Sequence, residues 1–330
     1  MSVASFASRL LRWHARHGRH DLPWQHPRTA YRVWVAEVML QQTQVATVIP
    51  YYGRFLQRFA DVRALAAASL DDVLALWSGL GYYARARNLH RAARQIVAEH
   101  GGEFPRGFEA ALALPGIGRS TAGAILAQAF GARHAILEGN ARRVFARHAG
   151  IRGWPGEPRV AAQLWRIAEQ RLPRAQLPDY TQAVMDLGAT VCTARAPACA
   201  QCPVAADCIA LRRGLAARLP APRPRRARPQ RVAQLLLIEN ARGELLLERR
   251  PERGIWGGLW CPPVVAGRGA RAGVVARLPV IHHAFTHYDL ELRPVRVRAG
   301  AARRTGEWVK LRALSRYGLP APVRKLLASL

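Results

Sequence analysis

The chain has 330 residues, with 50 Lys and Arg against 21 Asp and Glu, a formal net charge of +29. Half of its residues are hydrophobic, so it can bury cores, and it is long enough for two of them. No apolar stretch long enough to cross a bilayer escapes a charge or a Pro/Gly break, which excludes a membrane-spanning helix.

In chain order, residues 1–19 place positive residues among scattered apolar ones, without a cleavage pattern, and read as an amphipathic helix. With no signal peptide, the expected location is cytoplasmic. Apolar residues then recur at three- and four-residue spacings over 33–49, 70–80, 84–97, 121–130 and 160–172, which predicts helices. Turn signals separate them at Gly79-Leu80-Gly81, His100-Gly101-Gly102, Pro115-Gly116 and Trp154-Pro155-Gly156. The composition shifts at 220–231, which holds four prolines and five arginines and reads as an extended linker. Beyond it, short β-type runs at 232–238, 244–248, 288–297 and 307–311 predict a smaller α+β domain. The division expected is 1–215, a linker over 216–231, and 232–330.

Four of the five cysteines, Cys192, Cys199, Cys202 and Cys208, fall within seventeen residues as C-x6-C-x2-C-x5-C. Reduced thiols this close together point to a metal site. The uneven outer arms suit an iron–sulfur cluster somewhat better than a zinc ion, which leaves both open. The charge excess calls for a polyanionic partner, and nucleic acid fits better than a membrane because no lipidation motif or dense polybasic helix is present. Leu114-Pro115-Gly116-Ile117-Gly118 sits between two helical runs, and its glycines would open backbone N–H groups to phosphate at the next helix's start. Glu37 stands in the apolar run Val33 to Leu40. Such surroundings raise a carboxyl pKa toward that of a general acid, although a Glu early in a helix also serves the helix dipole. Gln41-Gln42-Thr43-Gln44 follows, which is either a solvated face or a set of amides reaching base edges.

Glu37-Val38-Met39-Leu40-Gln41-Gln42-Thr43-Gln44-Val45, Gly79-Leu80-Gly81-Tyr82-Tyr83-Ala84-Arg85-Ala86, residues 114–123 and the four-cysteine run together closely resemble the MutY family of adenine DNA glycosylases, of the helix–hairpin–helix, 4Fe–4S superfamily. The resemblance extends over essentially the whole chain, including Trp256-Gly257-Gly258-Leu259-Trp260 and His283-Ala284-Phe285-Thr286-His287. It implies a mostly α helix–hairpin–helix glycosylase domain with a 4Fe–4S cluster loop, plus a smaller α+β Nudix-like C-terminal domain. It also implies a monomer acting on double-stranded DNA, removing adenine mispaired with 8-oxoguanine or guanine after flipping it from the stack.

By the same resemblance Glu37 protonates adenine and later assists water, and a second carboxylate stabilises the cationic sugar. That carboxylate is Asp in the family and Glu138 here, in Ile136-Leu137-Glu138-Gly139-Asn140. The pocket accommodates the extra methylene, or activity drops, or the protein binds lesions and cuts poorly; accommodation is the reading preferred. Asn140 is the neighbouring candidate for ordering water. Ser120 takes the place where lyase relatives of endonuclease III carry a Lys nucleophile, so the expected enzyme leaves an intact abasic site. Gln42 and Tyr82 would wedge into the duplex, and Thr43 and Leu80 would flank 8-oxoguanine. Gly116 and Gly118 would meet phosphate. Trp24, Gln25, Leu40, Val45 and Gln182 would line the adenine pocket, while Phe285, Thr286 and His287 would read the lesion. Cys192, Cys199, Cys202 and Cys208 would hold the 4Fe–4S cluster, with Arg195 on the loop facing phosphate and Cys261 a buried thiol apart from it. From residue 261 to 280 there is no Asp or Glu, so the Nudix-like domain lacks the carboxylates that pyrophosphate hydrolysis needs for Mg²⁺. The stretch between Pro263 and His282 is short, and a helix expected there is trimmed. The rivals are an endonuclease III-like glycosylase/lyase and a lesion-binding iron–sulfur protein with weakened catalysis.

Overall fold

A computed structural model describes residues 5–224, 227–252, 254–267, 273–285, 288–298 and 305–330. Its helices are α1 (Phe6–His17), α2 (Ala30–Leu40), α3 (Val45–Arg58), α4 (Val62–Ala67), α5 (Leu70–Trp77), α6 (Ala84–Glu99), α7 (Phe108–Ala113), α8 (Arg119–Phe130), α9 (Gly139–His148), α10 (Pro158–Gln170), α11 (Leu177–Asp186) and α12 (Ile209–Arg212). Strands β1 (Gln230–Glu239), β2 (Glu244–Arg249), β3 (Trp260–Cys261), β4 (Val264–Ala266), β5 (Val274–Arg277), β6 (Ile281–Ala284), β7 (Asp289–Arg298) and β8 (Glu307–Lys310) follow, then α13 (Ala321–Leu327). By packing, the chain forms two compact units, Met1–Gly53 with Ala92–Arg225, and Arg54–Arg91 with Arg226–Leu330.

In the first unit, α2 is apolar nearly all round, and Val33, Trp34, Val35, Ala36, Val38 and Met39 are all buried. It packs on α8, whose Ala122, Gly123, Ala124, Ile125, Leu126 and Ala127 are also buried. Small residues let α8 run through the middle of the unit: a Cβ on Gly123 would lie 2.5 Å from the Ala135 carbonyl oxygen. Around it, Phe6, Leu10, Ile136, Leu137, Phe145, Leu164, Tyr180 and Leu187 form one core. The periodic run over 33–49 is two helices, broken at residues 41–44, because Gln42 takes a left-handed backbone with φ 60°.

In the second unit, the strand order is β3-β2-β1-β7-β5, with β4 on β1, β6 on β7 and β8 on β2. The central pair, β1 and β7, is parallel from Gln230↔Asp289 to Glu239↔Arg298, and the remaining pairs are antiparallel. Between 263 and 282 the described residues carry β4, β5 and the start of β6, and no helix. The same unit holds the turn over residues 79–83. Gly79 and Gly81 adopt φ 103° and 76°, conformations that favour glycine. Trp77 Nε1 and Arg85 Nη2 both donate to the Gly81 carbonyl at 3.1 Å, and Tyr83 Oη donates to the Leu319 carbonyl at 3.1 Å. The turn is therefore anchored on both sides of Tyr82.

Gly123→Ala should destabilise the protein by about 1–3 kcal/mol through overpacking, despite alanine's better helix propensity; urea denaturation measures it, and an unchanged midpoint would refute the close approach.

Candidate active site

Thr29 caps α2 by accepting from the Arg32 backbone N–H at 3.3 Å, and two turns further on the helix carries Glu37. Glu37 is half-buried, and Gln128 Nε2 on α8 donates to its Oε1 at 2.9 Å. Loss of hydration is the largest influence on its carboxyl and the nearby Glu138 charge the second. Together they outweigh the Gln128 hydrogen bond and raise the pKa from 4.5 to about 7. Gln128 was not among the residues expected here. Its signal was the one that marked Glu37, a lone polar residue in a run of small apolar ones.

Glu138 is the N-cap of α9. Its Oε2 accepts from the Asn140 backbone N–H and its Oε1 from that of Ala141, each at 2.7 Å. Both oxygens therefore serve the helix start, where a negative charge is favoured. Ser120 stands on the first turn of α8, and its Oγ accepts from the Leu137 backbone N–H at 2.9 Å, fixing the residue just before Glu138. Asn140 Oδ1 accepts from Arg143 Nη2 at 2.7 Å. The same guanidinium donates to the Cys192 carbonyl at 2.7 Å and to the Gly188 carbonyl at 2.5 Å. Gly188 lies in a π-helical turn, Leu187–Val191, and packs so close to Asn140 that a Cβ there would come within 2.5 Å of the Asn140 Cβ. Arg143 and the π turn carry no sequence signal beyond an ordinary basic residue and a run of small ones.

The hairpin between α7 and α8 closes with the Ile117 N–H donating to the Leu114 carbonyl at 3.1 Å and with Gly116 at φ 79°. Gly118, the N-cap of α8, offers no side chain, and Gly116 and Gly118 are exposed, so the first amides of α8 are open to an anion. Arg119 stacks on Trp165 at 3.9 Å and pairs with Glu169. Gln42 is exposed and left-handed, and Thr43 is half-buried. Leu40 and Val45 are half-buried, Trp24 is buried against Tyr52 at 5.4 Å, and Gln25 and Gln182 are buried.

In the second unit Tyr82 is exposed and left-handed, at φ 50°, while Leu80 is buried in the core. Phe285 is half-buried among Trp256, His283 and Tyr288. Thr286 and His287 lie outside the described residues.

Cys192, Cys199, Cys202 and Cys208 line one cavity with Arg147, Val191, Pro197 and Leu211. Four thiols around one cavity are a donor set that a 4Fe–4S cubane takes. Buried Arg147 donates to Cys192 Sγ at 3.4 Å and to the carbonyls of Thr193, Ala194 and Leu219. Its positive charge suits a dianionic thiolate-bound cluster. Cys261 is fully buried in the other unit, and burial pushes its thiol up to about 12.

An open-amide hairpin at one end of α8 and, bonded to Gln128 further along it, a carboxyl that still holds its proton near neutrality are what an enzyme needs to grip DNA and cut a base from it, and the chain is a DNA N-glycosylase of the helix–hairpin–helix superfamily. Residues 35–170 match the HhH-GPD superfamily of base excision DNA repair proteins, 192–208 the iron-sulfur binding domain of endonuclease III, and 234–329 the NUDIX domain. An adenine DNA glycosylase of Buchnera aphidicola subsp. Schizaphis graminum is 34% identical over 99% of both chains, and the human adenine DNA glycosylase is 47% identical over 64% of this chain and 40% of its own length. The chain belongs to the adenine DNA glycosylase family, with a 4Fe–4S cluster as its cofactor. Among solved structures, a thermostable thymine-DNA glycosylase superposes with a TM-score of 0.58 at 28% identity, covering 63% of this chain and 95% of that one. Endonuclease III bound non-covalently to DNA shares the fold, with a TM-score of 0.54 at 20% identity, over 63% of this chain and 94% of that one.

The shifted carboxyl has a signed consequence for stability. Between pH 4.5 and about 7, folded Glu37 keeps a proton that the unfolded chain releases, so its contribution to stability falls as pH rises. Glu37→Gln, neutral throughout, should leave stability near pH 4 little changed and raise it at pH 8 by about 2–3 kcal/mol, as read by urea denaturation at the two pH values.

Proposed function

We propose that this enzyme removes adenine mispaired with 8-oxoguanine, or with guanine, by extruding the base and hydrolysing its N-glycosidic bond while leaving the strand intact. The observation that carries the reading is Glu37, a carboxyl with a pKa of about 7 beside a second carboxylate. Adenine is a poor leaving group until it is protonated, and an acid poised near the working pH both holds a proton and gives it up readily. Glu37 delivers that proton to adenine N7, and the base departs without negative charge. Positive charge then develops on the sugar, opposite Glu138, whose position is set by two backbone N–H groups and needs no rearrangement during the reaction. Asn140, held by Arg143, orders the attacking water, and the proton that water loses as its oxygen bonds to the sugar returns to the now ionised Glu37.

Hydrolysis is favoured over lyase chemistry because no amine stands at the start of α8. The Ser120 hydroxyl is engaged by Leu137, and Arg119 is permanently cationic and cannot attack a carbon. The 4Fe–4S cluster, held by the four cysteines, supports a loop whose exposed Arg195 meets phosphate. Gln42 and Tyr82 enter the duplex from backbones already set in the left-handed region, and Thr43 and Leu80 flank the lesion. Trp24, Gln25, Leu40, Val45 and Gln182 enclose adenine, and Phe285 with Thr286 and His287 reads 8-oxoguanine. The enzyme acts as a monomer in the cytoplasm.

Single-turnover assays on an A:8-oxoguanine duplex should show adenine release, with the strand breaking only after alkali. Glu37→Gln should abolish release while retaining duplex binding, and Glu138→Asp should remain active. Strand cutting without alkali, or an adduct trapped by borohydride, would replace this reading with a lyase; no release by the native chain would overturn the substrate.

A further inference from the structure

Gln128 sits in the last turn of α8, in the run Ala124-Ile125-Leu126-Ala127-Gln128-Ala129. It is 3% exposed, so its amide needs a partner inside the protein. Among the described residues that partner is Glu37, whose Oε1 accepts from Gln128 Nε2 at 2.9 Å. The other end of the amide, Oε1 of Gln128, is buried without a partner. An apolar side chain of the same size would fill this place without an unmet acceptor. The amide therefore serves one atom of one carboxyl, and that carboxyl is the acid of the site.

An amide N–H only donates, so the Glu37 oxygen that it meets has to offer a lone pair. In a protonated carboxyl the carbonyl oxygen is the better acceptor, and the N–H holds Oε1 in that role. The proton is left to Oε2. When it departs to the base, its bonding pair stays on the carboxyl and the charge spreads over both oxygens. The bond from Gln128 is then charge-assisted, roughly twice as strong as the neutral bond that it was. Turning the amide over would set its oxygen against the carboxylate, so the ionised acid keeps this orientation. A contact that tightens as charge develops lowers the barrier, whereas one equally strong before and after does not.

The charged groups around Glu37 do not supply this donor. Glu138, at the N-cap of α9, is negative and opposes ionisation. The one charged residue of α8 is Arg119, at its first turn and paired with Glu169. On α2 itself, Arg32 Nη2 donates to the Pro23 carbonyl at 2.7 Å.

We propose that Gln128 is a positioning residue for base excision: it assigns the proton of Glu37 to Oε2 and stabilises the carboxylate that remains once the proton has been delivered. This rests on the reading of Glu37 as the general acid for adenine.

The test is single-turnover adenine release from an A:8-oxoguanine duplex over a range of pH, by the native holoenzyme and by Gln128→Met, which keeps the shape and removes the amide. Native release should fall as pH rises through about 7, where Glu37 loses its proton. In Gln128→Met the plateau should drop about tenfold, because the departing proton leaves a carboxylate without its donor. The fall should also move to higher pH by about half a pH unit or more, since a donor to the charged form holds the pKa down. Above the native midpoint the variant should thus keep a larger fraction of its own plateau than the native enzyme does. A slower plateau with an unmoved midpoint is a packing defect and overturns the proposal, as does a profile identical to the native one. Should Gln128→Met fail to retain its cluster absorbance, Gln128→Asn, which withdraws the amide by one methylene, carries the same expectation. Native enzyme that releases adenine alongside a variant with an unmoved midpoint overturns the positioning role alone; native enzyme that releases no adenine overturns the substrate reading and this inference with it.

Discussion

Burying a carboxyl without a cation beside it opposes folding, and the surroundings of Glu37 depend on that opposition being tolerated. The buried apolar flanks of α2 remove water from the acid, and Gln128 returns a single hydrogen bond in place of a hydration shell. Glu138 adds a second negative neighbour where a stabilising design would have placed an arginine. What offsets this is ordinary: a long apolar helix packed on a helix of small residues, with a glycine where backbone and helix nearly touch. Packing bears the cost of the site, in keeping with the general pattern that strained or desolvated groups persist where their neighbours over-determine them.

A second theme is how few side chains set the positions of many. Arg143 gathers the Asn140 side chain, the π turn and the carbonyl of the first cysteine onto one guanidinium. Arg147, one turn along α9, gathers the cluster loop and the carbonyl of Leu219 onto another. A planar group with donors in fixed directions suits this task better than a flexible ammonium would. Part of the large arginine excess is thus spent inside the molecule, holding backbone carbonyls, and does not face a polyanion.

Much of this was legible in the sequence, and the reasons differ by element. Several helices, α1, α2, α5, α6, α8 and α10, announced themselves by spacing and four strands by short apolar runs, so β1, β2, β7 and β8 fall within two residues of their expected ends, whereas α4, α7, α9, α11 and α12 lie outside the runs read. The break at residues 41–44 was not legible, because apolar periodicity runs through it and only the backbone of Gln42 interrupts the helix. Nor were β4 and β5, which are too short to carry a pattern. Within the site, Glu37 stood out as a charge in apolar company. Glu138 raised a question about chain length, and in the structure both of its oxygens accept from amides of α9. Arg143 could not be read, because its importance lies in carbonyls distant in sequence, while Gln128 offered a signal, a lone polar residue among small apolar ones, that only its Glu37 partner explains.

The pKa of Glu37 also alters the thermodynamics of the whole molecule. At pH 7 the folded carboxyl is about half protonated and the unfolded one is ionised, so each folding event takes up about half a proton from the buffer. The heat of unfolding seen by a calorimeter therefore includes the ionisation enthalpy of whatever buffer receives that proton. Two buffers at one pH report different apparent enthalpies for the same transition, and the difference counts the net protons released, to which Glu37 contributes with one sign and His148, held down to about 4 by burial, with the other.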